Sequence, residues 1–146
     1  MAADRMGSRR GFTLVETALV VVIMGMLLAI AAPRFTAMRN GFLIDTAAYQ
    51  LAGDLRRAQV EAIKLNKTIQ VVKTGTSTYD IQSLTPAVTV IYARSFEPGI
   101  GFAAGAMTVS FASFGPPIGG GATFTLNYAG RTKAVTVGAN GLVTVQ

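Results

Sequence analysis

The sequence predicts an α+β fold: a long N-terminal helix, with a transmembrane half followed by an amphipathic half, packed on a C-terminal antiparallel β-sheet or β-sandwich-like domain. Three observations predict it. Residues 17–32 contain no charged side chain, and apolar residues from Ile44 to Leu65 recur at alternating spacings of four and three. From Thr68 onward, short runs rich in Thr, Val, Ile, Tyr and Phe are separated by Gly, Pro and Ser. With 146 residues, the chain has room for one folded domain and an appendage.

Composition narrows the chemistry. The chain has no Cys, which excludes disulfides and thiolate metal sites, and no His, which removes the usual general base near neutral pH and the commonest zinc ligand. Asp45, Asp54, Glu61, Asp80 and Glu97 are not gathered by any catalytic motif. The expectation is a non-catalytic protein with no cofactor and no metal. Of the formal charge of +6, Arg5, Arg9 and Arg10 against Asp4 contribute +2, so the chain beyond Gly11 is only mildly basic.

The apolar segment justifies the first half of the helix. Phe12 to Pro33 is 22 residues, or about 33 Å of helix, enough for a hydrocarbon layer of about 30 Å. Arg9 and Arg10 precede it, and such flanks stay cytoplasmic, which predicts an N-in, single-pass topology. Three processing fates compete. A secretory signal would use Ala29, Ile30 and Ala31 as its cleavage site, and a twin-arginine signal would use Arg9 and Arg10. The third fate turns on Glu16, an ionisable group one turn inside an apolar span, which is costly unless it meets a cation.

The run Arg9-Arg10-Gly11-Phe12-Thr13-Leu14-Val15-Glu16, followed by the apolar stretch, resembles the type IV prepilin class. That resemblance implies a leader, residues 1–11, which a prepilin peptidase removes by cutting after Gly11 before methylating the new amine of Phe12. It implies that Glu16 pairs with the terminal amine of a neighbouring subunit, and that assembly with other pilins or pseudopilins runs through the N-terminal helices. Gly25 and Pro33 match helix positions where the class carries glycine and proline. Physically, a buried carboxylate facing a buried ammonium is tolerated, whereas removing one partner costs about 3–5 kcal/mol.

The amphipathic half is expected over residues 34–66. Ile44, Ala48, Leu51, Leu55, Ala58, Ala62 and Leu65 form one stripe, read as core. Asp45, Asp54, Arg56, Arg57, Glu61, Lys64 and Lys67 occupy the other faces, with Asp54–Arg57, Arg57–Glu61 and Glu61–Lys64 at ion-pair spacings. Asn66 is the expected stop.

Residues 67–146 are expected to form the β-rich domain, with strands at Thr68–Val72, Thr78–Leu84, Val88–Arg94, Met107–Phe111, Thr123–Tyr128, Lys133–Val137 and Leu142–Val145. A three-residue Ala139-Asn140-Gly141 loop would set Val137 against Val143 and Val135 against Val145, with Gly141 in the left-handed position. Phe114 to Gly121, with two prolines and a triple glycine, is expected to be an irregular, mobile surface loop.

The order Met107 to Phe111, Phe114-Gly115, Thr123 to Tyr128, Gly130-Arg131, Val135 to Val137 and Asn140 to Val143 resembles the C-terminal part of the GspH/FimT family. The resemblance implies a structural minor pseudopilin of type II secretion, held in the bacterial inner membrane with its domain in the periplasm until it enters a fibre. The alternative is a FimT-like minor type IV pilin engaged in pilus priming or DNA uptake. For that reading Arg131 and Lys133 are the candidate DNA or partner contacts; the simpler reading of two cations is a solvated turn.

Overall fold

The computed structural model describes residues 11–146; Arg9, Arg10 and the rest of the expected leader before Gly11 lie outside the described residues. Two compact units divide it, one ending at Met38 and the other running from Arg39 to Gln146. A single helix, α1 (Leu14–Leu65), contributes to both and contains Pro33. Its start has a local cause. Thr13 stands at the N-cap, and its hydroxyl accepts a hydrogen bond from the Glu16 backbone N–H at 3.2 Å. Thr13 and Glu16 therefore have the T-x-x-E spacing of a capping box.

Asn66 ends the helix in the left-handed region at φ 50°. Lys67 N–H reaches back to the Ala62 carbonyl at 3.1 Å and Asn66 N–H to that of Ile63 at 3.2 Å. This is a Schellman closure, which satisfies two of the carbonyls a helix end leaves unpaired.

In the unit from Arg39 onward, nine strands follow: β1 (Ile69–Lys73), β2 (Thr78–Ser83), β3 (Thr89–Ser95), β4 (Gly101–Gly105), β5 (Thr108–Phe111), β6 (Pro117–Ile118), β7 (Ala122–Tyr128), β8 (Arg131–Val137) and β9 (Val143–Val145). They form two antiparallel sheets, ordered β3-β2-β1-β5-β6 and β4-β7-β8-β9. Alternation sends Ile69, Val71, Tyr79, Ile81, Val109 and Phe111 of the first sheet inward. Phe124, Leu126, Val135, Val137 and Val143 do the same in the second. One core cluster joins these faces to Ile44, Ala48, Leu51, Leu55, Ala58 and Ala62 of α1. The small alanines leave room for large sheet residues opposite, as close packing requires.

The final hairpin has the expected register, Val135 opposite Val145 and Val137 opposite Val143. Gly138 N–H bonds the Leu142 carbonyl at 2.8 Å, enclosing the three residues 139–141, and Gly141 takes φ 83°.

Four expectations need correction. Leu65 keeps 44% of its surface exposed, because the helix closes there and its stripe has run past the core. The Phe114–Gly121 segment is not wholly irregular, since Pro117 and Ile118 pair with Phe111 and Ser110; Pro117 fits this role because a sheet edge needs no donor from it. Strand β4 was not expected. Its Gly-Phe-Ala-Ala-Gly sequence lacks β-branched residues, and glycine is there because Thr76 and Thr123 approach its backbone closely. Finally, Asp54 is only 8% exposed rather than lying on a wet face, and the intrahelical ion pairs do not form among the described residues: the ion pairs are Arg94–Asp54 and Lys133–Asp45.

Candidate assembly site and subunit surface

The residues expected to act in processing and assembly fall in the first unit. Gly11 precedes the helix in an exposed stretch without regular secondary structure; no atom outside its chain neighbours stands within 4 Å of a Cβ placed on it. Phe12 is 81% exposed. Glu16 lies in the first turn of α1, where a carboxylate favours the positive end of the helix dipole. Its side chain is exposed, so its carboxylate is available to an outside cation. Gly25 lies on the open helix surface, and Pro33 sits within the helix. Every side chain from Gly11 to Arg39 is exposed, although most are apolar. A helix of that length and apolarity is consistent with a membrane anchor.

In the second unit, the two candidate cations turn toward α1. Lys133 Nζ lies 3.0 Å from Asp45 Oδ1. Arg131 lays its guanidinium over Gly41, with Nη1 3.5 Å from the position of a Cβ there. The two residues are alternate positions of β8 and so leave it on the same face, meeting α1 one turn apart. Lys133 is thereby neutralised, whereas Arg131 stays exposed beside a depression of about 260 Å³ lined by Gly99, Asn127, Tyr128 and Thr132.

A polar network escapes the sequence reading. Tyr79 hydroxyl donates to Asp54 Oδ2 at 2.7 Å in the interior. Arg94 Nε stands 3.4 Å from the same oxygen, an ion pair without a well-formed hydrogen bond. Arg57 donates to Tyr92 hydroxyl at 2.6 Å and stacks its guanidinium 4.2 Å from that ring's centre. Arg56 donates to the Val143 carbonyl at 2.8 Å. Burial, then the hydrogen bond to the Asp54 carboxylate, push the Tyr79 hydroxyl well above the ordinary phenol range. The network ties α1 to β2 and β3 on one side and to β9 on the other, fixing which face of the helix the sheets cover. A helical acid flanked by arginines was its only signal, and that pattern equally fits a solvated face.

The family model described as Type II transport protein GspH matches residues 47–141, from the middle of α1 through the final hairpin turn. The chain belongs to the GspH family. The prokaryotic N-terminal methylation motif matches residues 6–32 of this GspH-family chain, covering Gly11, Phe12 and Glu16. The chain is 40% identical over 74 residues to the pilin-like protein PilA1 of Thermus thermophilus, a match covering 49% of this chain and 46% of that one. It thus spans about half the length of the curated relative it matches.

Among solved structures, the type IV minor pilin FimU of Pseudomonas aeruginosa aligns with a TM-score of 0.62 at 14% identity, covering 76% of this chain and 92% of FimU. The minor pseudopilin EpsH of the Vibrio cholerae type 2 secretion system aligns with a TM-score of 0.59 at 16% identity, covering 71% and 96%. At these identities the likeness is one of fold. The GspH-family chain is thus a pilin-like subunit: one long N-terminal helix with antiparallel sheets, carrying a methylation motif that implies processing and assembly.

Proposed function

We propose that this chain is a minor pseudopilin, a non-catalytic subunit of a periplasmic fibre that drives protein export by type II secretion. The single observation that carries this reading is the union, in one chain, of the methylation motif over residues 6–32 and the GspH match over residues 47–141. Prepilin peptidase cuts after Gly11 and methylates the amine of Phe12. Residues 12–33 hold the subunit in the inner membrane, N-terminus inward, until it is drawn into the fibre.

Glu16 then accepts the terminal ammonium of a neighbouring subunit. The exposed first-turn position leaves the carboxylate free to do so, and in a low-dielectric surround the pair is far stronger than at a water-exposed surface. Gly25 and Pro33 weaken helical propensity within the span, so the helix can adjust as neighbours pack.

Deleting the gene should abolish or sharply reduce export of folded enzymes, and Glu16→Gln should leave the subunit in the membrane but out of the fibre. Glu16→Gln with normal incorporation into fibres would defeat the assembly mechanism. The second reading, a FimT-like minor pilin of a type IV pilus, draws on the FimU and PilA1 likenesses. It predicts lost piliation or lost DNA uptake with export intact. For DNA retention by this chain, Arg131 would have to act largely alone, because Lys133 already faces Asp45; affinity from so few phosphate contacts fades rapidly with salt.

A further inference from the structure

The two sheets have four edge strands, β3, β6, β4 and β9, and three of them are blunted. β6 is two residues long and begins with Pro117, and β4 is bounded by glycines and breaks register between Phe102 and Gly105. β9 has three residues, and Arg56 takes its Val143 carbonyl. β3 is different. It runs seven residues, Thr89–Ser95, pairs with β2 alone, and contains no proline, glycine or lysine. Among the described residues, no turn or loop hydrogen bond reaches its backbone, and Thr89, Val90, Ala93 and Ser95 are exposed. A long open edge of this kind is a template for a strand from another chain.

The register determines what such a strand meets. Tyr92 lies opposite Ile81 and Arg94 opposite Tyr79, both on the core side, whereas Val90 lies opposite Gln82 on the outer face. The bulge between them, with Ile91 as its extra residue, makes the switch. On the core side two arginines frame the edge. Arg57 Cζ stands 4.2 Å and Arg94 Cζ 5.7 Å from the centre of the Tyr92 ring, both within cation–π reach. Asp54 meets them through Arg94, and among the described residues Arg57 pairs with no carboxylate, Glu61 one turn along included. Two guanidiniums held by one ring therefore share a single acid, which leaves one positive charge uncompensated at the edge. A charge facing inward guards an edge against an apolar strand, because pairing would bury it, yet it admits a strand that brings a carboxylate to the same place.

We infer that β3 is a docking edge for an extended acidic segment of another polypeptide. That segment adds a sixth strand to the five-stranded sheet beside Thr89–Ser95. It sets a carboxylate against Arg57 and Arg94 and lays apolar side chains beside Val90 on the other face. A second copy of β3 is the wrong occupant, because it brings its own Arg57 and Arg94 to the same edge. All of these residues belong to the unit from Arg39 onward, so the edge serves equally in either fibre considered above.

The test uses the full chain in detergent micelles and a synthetic nine-residue peptide that alternates valine with threonine and carries one central glutamate, read by amide hydrogen exchange. The peptide should slow exchange at amides within Thr89–Ser95 and leave β4 and β9 unchanged. Arg57→Gln should weaken its binding about fivefold, the effect of losing one partly exposed ion pair. Val90→Glu should weaken it at least as much, while β7 and β8 stay protected in both variants and so report an intact fold. No slowing on β3 at the solubility limit of the peptide overturns the inference. So does equal binding by Arg57→Gln, or by a peptide with glutamine in place of its glutamate, either of which removes the carboxylate from the recognition. Slowing on β3 that grows with protein concentration in the absence of peptide overturns it in favour of a second copy. Equal slowing by inorganic phosphate or duplex DNA overturns it in favour of a free-anion or nucleic-acid site.

Discussion

At the scale of single residues, two acids of the same helix have opposite relations to their surroundings. Glu16 is exposed among apolar neighbours, and the expense of leaving it uncompensated in lipid made it stand out in the sequence. Asp54 is buried among polar partners, and nothing in its helical spacing distinguishes it from a solvated acid. Replacing Asp54 by Ala leaves Tyr79 hydroxyl without its acceptor and Arg94 without its counter-charge. Since the Arg94 side chain keeps 38% exposure and water screens it, the loss should be about 2–3 kcal/mol, read as a lowered Tm of the purified full chain.

Tyr79 also dictates a pH dependence. Its folded-state value is raised above the ordinary 10.0, so above pH 10 the unfolded chain loses this proton while the folded chain keeps it. The contribution is complete below pH 10 and is lost as the pH climbs beyond it. Tyr79→Phe should therefore be less stable than the parent at neutral pH, with a difference that narrows in alkaline denaturation experiments. A difference that widens with pH would contradict this account.

At the scale of elements, legibility followed periodicity. The stripe from Ile44 to Ala62 and the alternation in Thr123–Tyr128 were readable because each has a single dominant period, and both occupy the core. The last hairpin was readable for a second reason: only one loop length keeps its valines on one face while giving Gly141 the left-handed position. Strand β4 offered neither signal. Its glycines serve close backbone approach, a property of the assembled sheets that no local pattern announces.

Gly105 illustrates the point. At φ 144° with the Thr123 carbonyl 2.8 Å from a Cβ, Gly105→Ala forces the β4–β7 pairing apart. A destabilisation of about 1–3 kcal/mol is expected by thermal unfolding. Leu51→Ala, which empties a fully buried helix position, should lower stability by about 2–5 kcal/mol. Lys133→Ala should change it by about 1 kcal/mol or less, because the two side chains keep 36% and 44% of their surface exposed and water screens the pair.

At the scale of the whole molecule, the chain joins an apolar, fully exposed helical segment to a β-rich unit with its own core. The exposed apolar face of the first is consistent with a membrane anchor. The proposed processing and assembly residues could be put forward from sequence because they form a short, contiguous run, Gly11 to Glu16, which the methylation motif over residues 6–32 covers. The roles of Arg131 and Lys133 were not legible. Equivalent as charges in a turn, they diverge only because β8 lays one beside Asp45 and the other over Gly41.

The most direct measurement is the mass of the N-terminal peptide of the protein recovered from membranes of cells that contain prepilin peptidase. The account predicts a peptide beginning at Phe12 with one added methyl group on its amine. An intact peptide beginning at Met1, or a mature chain beginning at Ala32, would contradict it.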